Sequence, residues 1–157
     1  MKQFLHIMLA LVLLLSLTAC GGQEHDAPPL YAPAHVESIR EAGAFSEELE
    51  ELDSDTAFSL YKLAGSGLDR EDLKECAVLR SAGATCEEAA VLVFTSADKA
   101  KSGAEALQTY LQGQIDANTD YRPAEIPKLE EAFVDRRGET VLLVVASDLD
   151  AAKKAIA

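Results

Sequence analysis

Three kinds of side chain in this sequence could do chemistry: the thiols of Cys20, Cys76 and Cys86, a scatter of carboxylates, and three histidines. The histidines are His6, His25 and His35, so none lies between Val36 and Ala157. That removes the usual general base, and a Ser-His-Asp or Cys-His site cannot be drawn there. His25 and His35 read as solvated linker residues, because no Cys or carboxylate cluster flanks them at ligand spacing; no metal and no other cofactor is expected. Glu47, Glu48, Glu50, Glu51, Asp53 and Asp55 lack the alternating ligands and central Gly of a calcium loop, and read as a solvated acidic face. Glu88 heads an apolar run, where it is either an edge charge partnered by Arg80 or Arg136, or a site carboxylate. Pro123 presets a first helical turn, which places Glu125 where a carboxylate favours a helix N-terminus and packs Tyr121 at the helix start. The alternative is a ligand-facing Tyr121 and Glu125 pair. Spacing assigns no catalytic residue.

The chain has 157 residues, 27 of them acidic and 14 basic, a formal charge of -13. Phosphate repels such a protein, so nucleic acid is excluded as a partner. The acids are dispersed and 48% of residues are hydrophobic, which argues for one folded domain and against wholesale disorder. Lys2, the apolar run Phe4 to Leu17 and the small residue Ala19 form a signal peptide over residues 1–19, too short to span a bilayer. Leu17-Thr18-Ala19-Cys20 resembles the lipobox of bacterial lipoproteins, with cleavage between Ala19 and Cys20 and lipidation of the Cys20 sulfur. At about 0.8 kcal/mol per buried methylene, two or three acyl chains hold a water-soluble domain stably at a membrane. The expected location is therefore the extracytoplasmic face of the cell membrane. Processing removes Lys2 and no acid, so the domain stands off anionic headgroups.

Residues 20–33, rich in Gly and Pro, read as a flexible tether, and 34–157 as a single α+β domain. Short helices are expected around Val36 to Ala44 and Thr56 to Leu63, the second capped by Ser54 or Asp55. Cys76 to Arg80 and Ala89 to Phe94 form a hairpin around Gly83, followed by a long helix over Ala97 to Ala117. Ala132 to Val134 pairs with Val141 to Val145 through Arg137-Gly138-Glu139, and Asp148 opens a last helix. These are two strand-strand-helix units of similar plan. Val91 to Phe94 and Val141 to Val145 lack alternation and so belong at the centre, with the strands of Val78 and Val134 at the edges. The expectation is a mainly antiparallel four-stranded sheet, with the long helices on one face and the N-terminal helices over the other. In the first hairpin Cys76 lies opposite a residue near Leu92 while Cys86 stays at the turn, about 20 Å away at 3.4 Å per residue. A disulfide needs Cα atoms within about 7 Å, so free thiols are the expectation and a bridge the alternative.

Glu88-Ala-Ala-Val91, Tyr121-Arg-Pro123-Ala-Glu125, Lys128-Leu-Glu-Glu-Ala132 and Val144-Val-Ala-Ser-Asp148 fall in one order. That order resembles domain-of-unknown-function family 4358, small lipoproteins of clostridia and related Gram-positive bacteria, over about Phe45 to Ile156. The resemblance implies an anchored α+β domain of the cell envelope with no established activity or cofactor, and it lends no catalytic residues. The leading functional expectation is a lipid-anchored binding or accessory module whose partner is an envelope protein or a small ligand. The alternative is a carboxylate-based envelope hydrolase using Glu88, Glu125 or the 47–55 acids in two protonation states.

Overall fold

The computed structural model describes residues 28–157. The signal peptide, the Ala19 to Cys20 junction and most of the tether lie outside the described residues. From Ala34 the order is α1 (Ala34–Glu41), β1 (Glu50–Leu52), α2 (Ser54–Leu60), β2 (Leu73–Arg80), β3 (Glu88–Phe94) and α3 (Ala97–Asn118). There follow α4 (Ile126–Glu130), β4 (Phe133–Arg137), β5 (Thr140–Val145) and α5 (Leu149–Ala155). Tight 3-10 turns occupy Leu63–Ser66, Arg70–Asp72 and Pro123–Glu125.

The sheet has five strands, not four, in the order β1-β2-β3-β5-β4, every neighbouring pair antiparallel. The added strand, Glu50–Leu52, lies inside the acidic stretch that reads as a solvated face. Its three residues pair with Arg80, Leu79 and Val78, so β2 is not an edge. A short strand with outward glutamates is how an exposed sheet edge is kept from pairing further, and it leaves no apolar alternation to detect. The continuous apolar runs do take the centre: β3 and β5 pair from Glu88↔Val145 to Val93↔Thr140, and all of β5 is buried.

Alternation along these strands sorts the core into two clusters. Val78, Ala90, Leu92, Phe94, Val141, Leu143 and Val145 face α2 and the stripe Ala100, Leu107 and Leu111 of α3. Leu79, Ala89, Val91, Leu142 and Val144 face Val36 and Ile39 of α1, Ala152 of α5 and Ile156 just past it. The helices that follow the two hairpins therefore cover opposite faces, each joined by one of the N-terminal helices. A second strand-strand-helix unit generated by rotation about an axis normal to the sheet would place its helix on the same face as the first. The similar sequence plans of the two units are not structural copies.

Local chemistry explains the element ends. Asp53, not Ser54 or Asp55, caps α2, its carboxylate accepting from the amides of Asp55 and Thr56 at 2.9 and 3.0 Å. The helix stops at Leu60 because Lys62 turns left-handed at φ 53. Ser96 caps α3, and Asp148 caps α5 by accepting from Ala151 at 2.8 Å. Gly103 faces Phe94 so closely that a Cβ would stand 2.3 Å from Cζ, and the helix needs glycine there to reach the sheet.

The chain joins the domain before Ala34. Tyr31 is buried, its amide donates to Thr140 Oγ1 at 2.9 Å, and its hydroxyl donates to Asp135 at 2.5 Å. The Arg137 guanidinium lies 4.2 Å from the Tyr31 ring centroid and donates to the Pro29 carbonyl. Residues 29–31 thus form a strap on the β4–β5 hairpin, inside the stretch expected as tether. Cys76 sits opposite Leu92, as the hairpin register requires, and Cys76 and Cys86 are both free thiols.

Candidate functional site

Glu87 and Glu88 enter β3 side by side, and a strand's two-residue period sends them to opposite faces of a sheet covered on both. Both are almost completely inaccessible to water. A buried carboxylate must be paired or protonated, and the two are accommodated differently.

Glu88 points to the α3 face. Tyr61, just past α2, donates a short hydrogen bond to its Oε1. Tyr110 of α3 donates to Oε2 at 2.8 Å, and Arg80 Nε lies 3.6 Å from the same oxygen. Arg136 is not a partner; it donates to the Gly138 carbonyl across its own turn. Burial pushes the Glu88 carboxyl above its usual range, and the two phenols and Arg80 offset that only in part. The same burial raises both phenols, with Glu88 adding to the shift. Their rings meet edge to face at 5.1 Å.

The two tyrosines form part of the wall of a cleft of about 550 Å³ between the Leu60–Ser66 segment and the Ala106–Gln114 stretch of α3. This is within the size range of small-ligand sites. Glu88 itself does not line the cleft. With both phenolic protons directed at Glu88, the hydroxyls present only acceptor character elsewhere. Glu88 is thus a positioning group that fixes two aromatic walls.

Glu87 points to the other face. It accepts from the Ser46 amide and hydroxyl, both at 2.8 Å, from the Ser147 hydroxyl, and from Lys128 Nζ at 3.1 Å. Burial pushes its carboxyl up, but these donors together outweigh burial and hold it below the usual range. The node ties the segment before β1, the segment after β5, and α4 to the start of β3.

Glu125 belongs to that node. It stands at the N-terminus of α4, as Pro123 presets, but its side chain makes no cap bond: its Oε2 accepts from the Cys86 amide at 2.8 Å and its Oε1 meets Lys128 at 3.1 Å. Tyr121 does not pack at the helix start; it is 80% exposed. Arg122 takes the inward place instead, donating to the carbonyls of Gly83 and Thr85 at 2.8 and 3.0 Å and to Asn118 at 2.8 Å. The Tyr121 and Glu125 side chains are therefore separated by function, one in solvent and one in the node, and neither is a partner of Glu88. Among the 47–55 acids, Glu47 accepts from Ser81 and Thr85, Asp53 caps α2 and Asp55 pairs with Arg70. Burial raises the Cys86 thiol, which disfavours the thiolate that nucleophilic chemistry needs.

From the sequence alone no site role falls to Glu87, Lys128, Tyr61, Tyr110, Lys62 or Gly113. The signal for Glu87 was present: two consecutive acids at the head of a strand covered on both faces require one buried carboxylate per face. The tyrosines gave no such signal, because their meeting depends on how two distant helices cross the sheet.

No curated protein and no solved structure matches the chain. The profile described as domain of unknown function (DUF4358) matches residues 44–146, which takes in β1 to β5, the Glu88 cluster, the Glu87 node except Ser147, and the cleft. With more than half of its length matched, the chain belongs to the DUF4358 family.

Proposed function

We propose that this protein is a lipid-anchored binding module on the extracytoplasmic face of the cell membrane, and that the cleft beside Tyr61 and Tyr110 is its ligand site. The observation that carries the binding reading is the cleft of about 550 Å³ whose walls are held by a buried carboxylate. The anchoring part rests on the Leu17-Thr18-Ala19-Cys20 sequence. Binding is favoured over carboxylate hydrolysis because Glu88, Glu125, Glu47 and Asp53 are each bonded to protein partners and none of them lines the cleft.

Two measurements test the proposal. Growth of a producing bacterium on an alkyne-tagged palmitate should label the wild-type protein and leave Cys20→Ala unlabelled; equal labelling of both overturns the anchor. A fragment screen read by NMR should shift resonances from Tyr61, Tyr110 and Ala106 to Gln114; shifts confined to other surfaces overturn the cleft as the binding site.

A further inference from the structure

Gly113 sits within the 22-residue helix α3, where glycine is about 1 kcal/mol less favourable than alanine. Gly103 of the same helix has a packing reason, the Phe94 ring, but a Cβ on Gly113 would meet nothing within 4 Å. Its backbone is ordinary right-handed helix, so neither conformation nor packing demands glycine. What Gly113 does is keep the cleft open, since it is one of the lining residues.

Charge supplies the second observation. In a chain with 27 acids and 14 bases, this cleft is lined by one lysine, Lys62, and by no acid. Lys62, whose left-handed backbone at φ 53 ends α2, is exposed where it lines the cleft. None of the ion pairs among the described residues includes it. The remaining walls are Leu60, Ala106 and the two tyrosines, with Ser66, Thr109 and Gln114 supplying hydrogen-bonding groups.

We infer that the cleft takes a small amphipathic anion: an aromatic or aliphatic body between Leu60, Tyr110 and the Gly113 face, and one carboxylate paired with Lys62. The surrounding negative charge repels such a ligand from the rest of the surface, so Lys62 supplies both affinity and location. This inference rests on the reading of the cleft as a ligand site and adds the ligand's class.

The experiment is calorimetric titration of the purified protein with phenylbutyrate, and with phenylbutylamine and phenylbutanol as cationic and neutral probes of the same body. Phenylbutyrate should bind most tightly, and Lys62→Glu should weaken it about tenfold at low salt while leaving phenylbutanol unchanged. Gly113→Leu should abolish binding of every probe and raise the melting temperature by about 3 °C, since it fills open space and improves helix propensity. Tighter binding of the amine, still blocked by Gly113→Leu, overturns the anionic class while the cleft stands. Binding of no probe, or binding indifferent to Gly113→Leu, overturns the cleft itself. Lys62 is exposed, so Lys62→Glu decides the class even where the leucine disturbs folding.

Discussion

Glu87 and Glu88 are chain neighbours, both sealed from water, yet their environments push them in opposite directions. Glu87 meets an ammonium, two serine hydroxyls and an amide, and is held as a carboxylate. Glu88 meets two phenols and an arginine at longer range, and is pushed toward its neutral form. The difference teaches that burial alone does not fix the state of a carboxyl; the number and charge of the donors around it do. It also separates their tasks. The Glu87 node clamps segments from three parts of the chain, whereas the Glu88 cluster shapes the wall of a cleft.

The sharpest way to break this comparison is to neutralise Glu87. Glu87→Gln should lower unfolding stability by about 3 kcal/mol at neutral pH, measured by urea denaturation, because it leaves Lys128 and several donors with a weaker acceptor. A loss no larger than that of Glu88→Gln would erase the distinction. Tyr61→Phe should follow at about 2 kcal/mol, the cost of leaving a buried carboxyl short of one of its donors. It should also drive the Glu88 carboxyl further up, observable by carbon NMR titration; a downward move would contradict the assigned roles.

Glu88→Gln should come next, at about 1 kcal/mol, and its dependence on pH has a definite sign. A carboxyl raised in the folded state contributes stability that is present below its ordinary range and lost as pH rises through its folded value. The Glu88→Gln deficit should therefore shrink as pH climbs above the ordinary carboxylate range. Glu87, lowered in the folded state, contributes stability present above its ordinary range and lost as pH falls through the folded value, so Glu87→Gln should flatten the acid limb. Opposite pH trends in the two variants sharpen the comparison, and parallel trends defeat it. The smallest effect is the reference for both: Tyr121→Ala, at an exposed position, should stay within about 0.5 kcal/mol of wild type.

The centre of the sheet was legible because Val91 to Phe94 and Val141 to Val145 carry unbroken apolar runs, and such runs have nowhere to go but between two layers. The stripe from Ala100 to Leu111 fixed the long helix for the same reason. What failed was local or relational. Glu50–Leu52 has strand geometry without a strand's apolar signature, since only its pairing with β2 makes it one. The faces taken by α3 and α5 depend on loop paths that no periodicity encodes. Of the site, Glu88 and Arg80 were readable as a pair, while Tyr121 misled because an exposed aromatic and a packed one look alike in sequence. Arg122, with its planar fork reaching two carbonyls and Asn118, won the inward position.

The Tyr31 strap sets a direction. It fastens the chain at Thr140, opposite Val93, while Glu88 lies at the other end of the same strand, about 17 Å away at 3.4 Å per residue. Helix α3 starts beside Phe94 and runs back along the sheet, so Gly113 also lies toward the Glu88 end. The strap and the cleft thus sit toward opposite ends of the sheet, so a ligand seated beside Gly113 leaves the Tyr31 fastening uncovered.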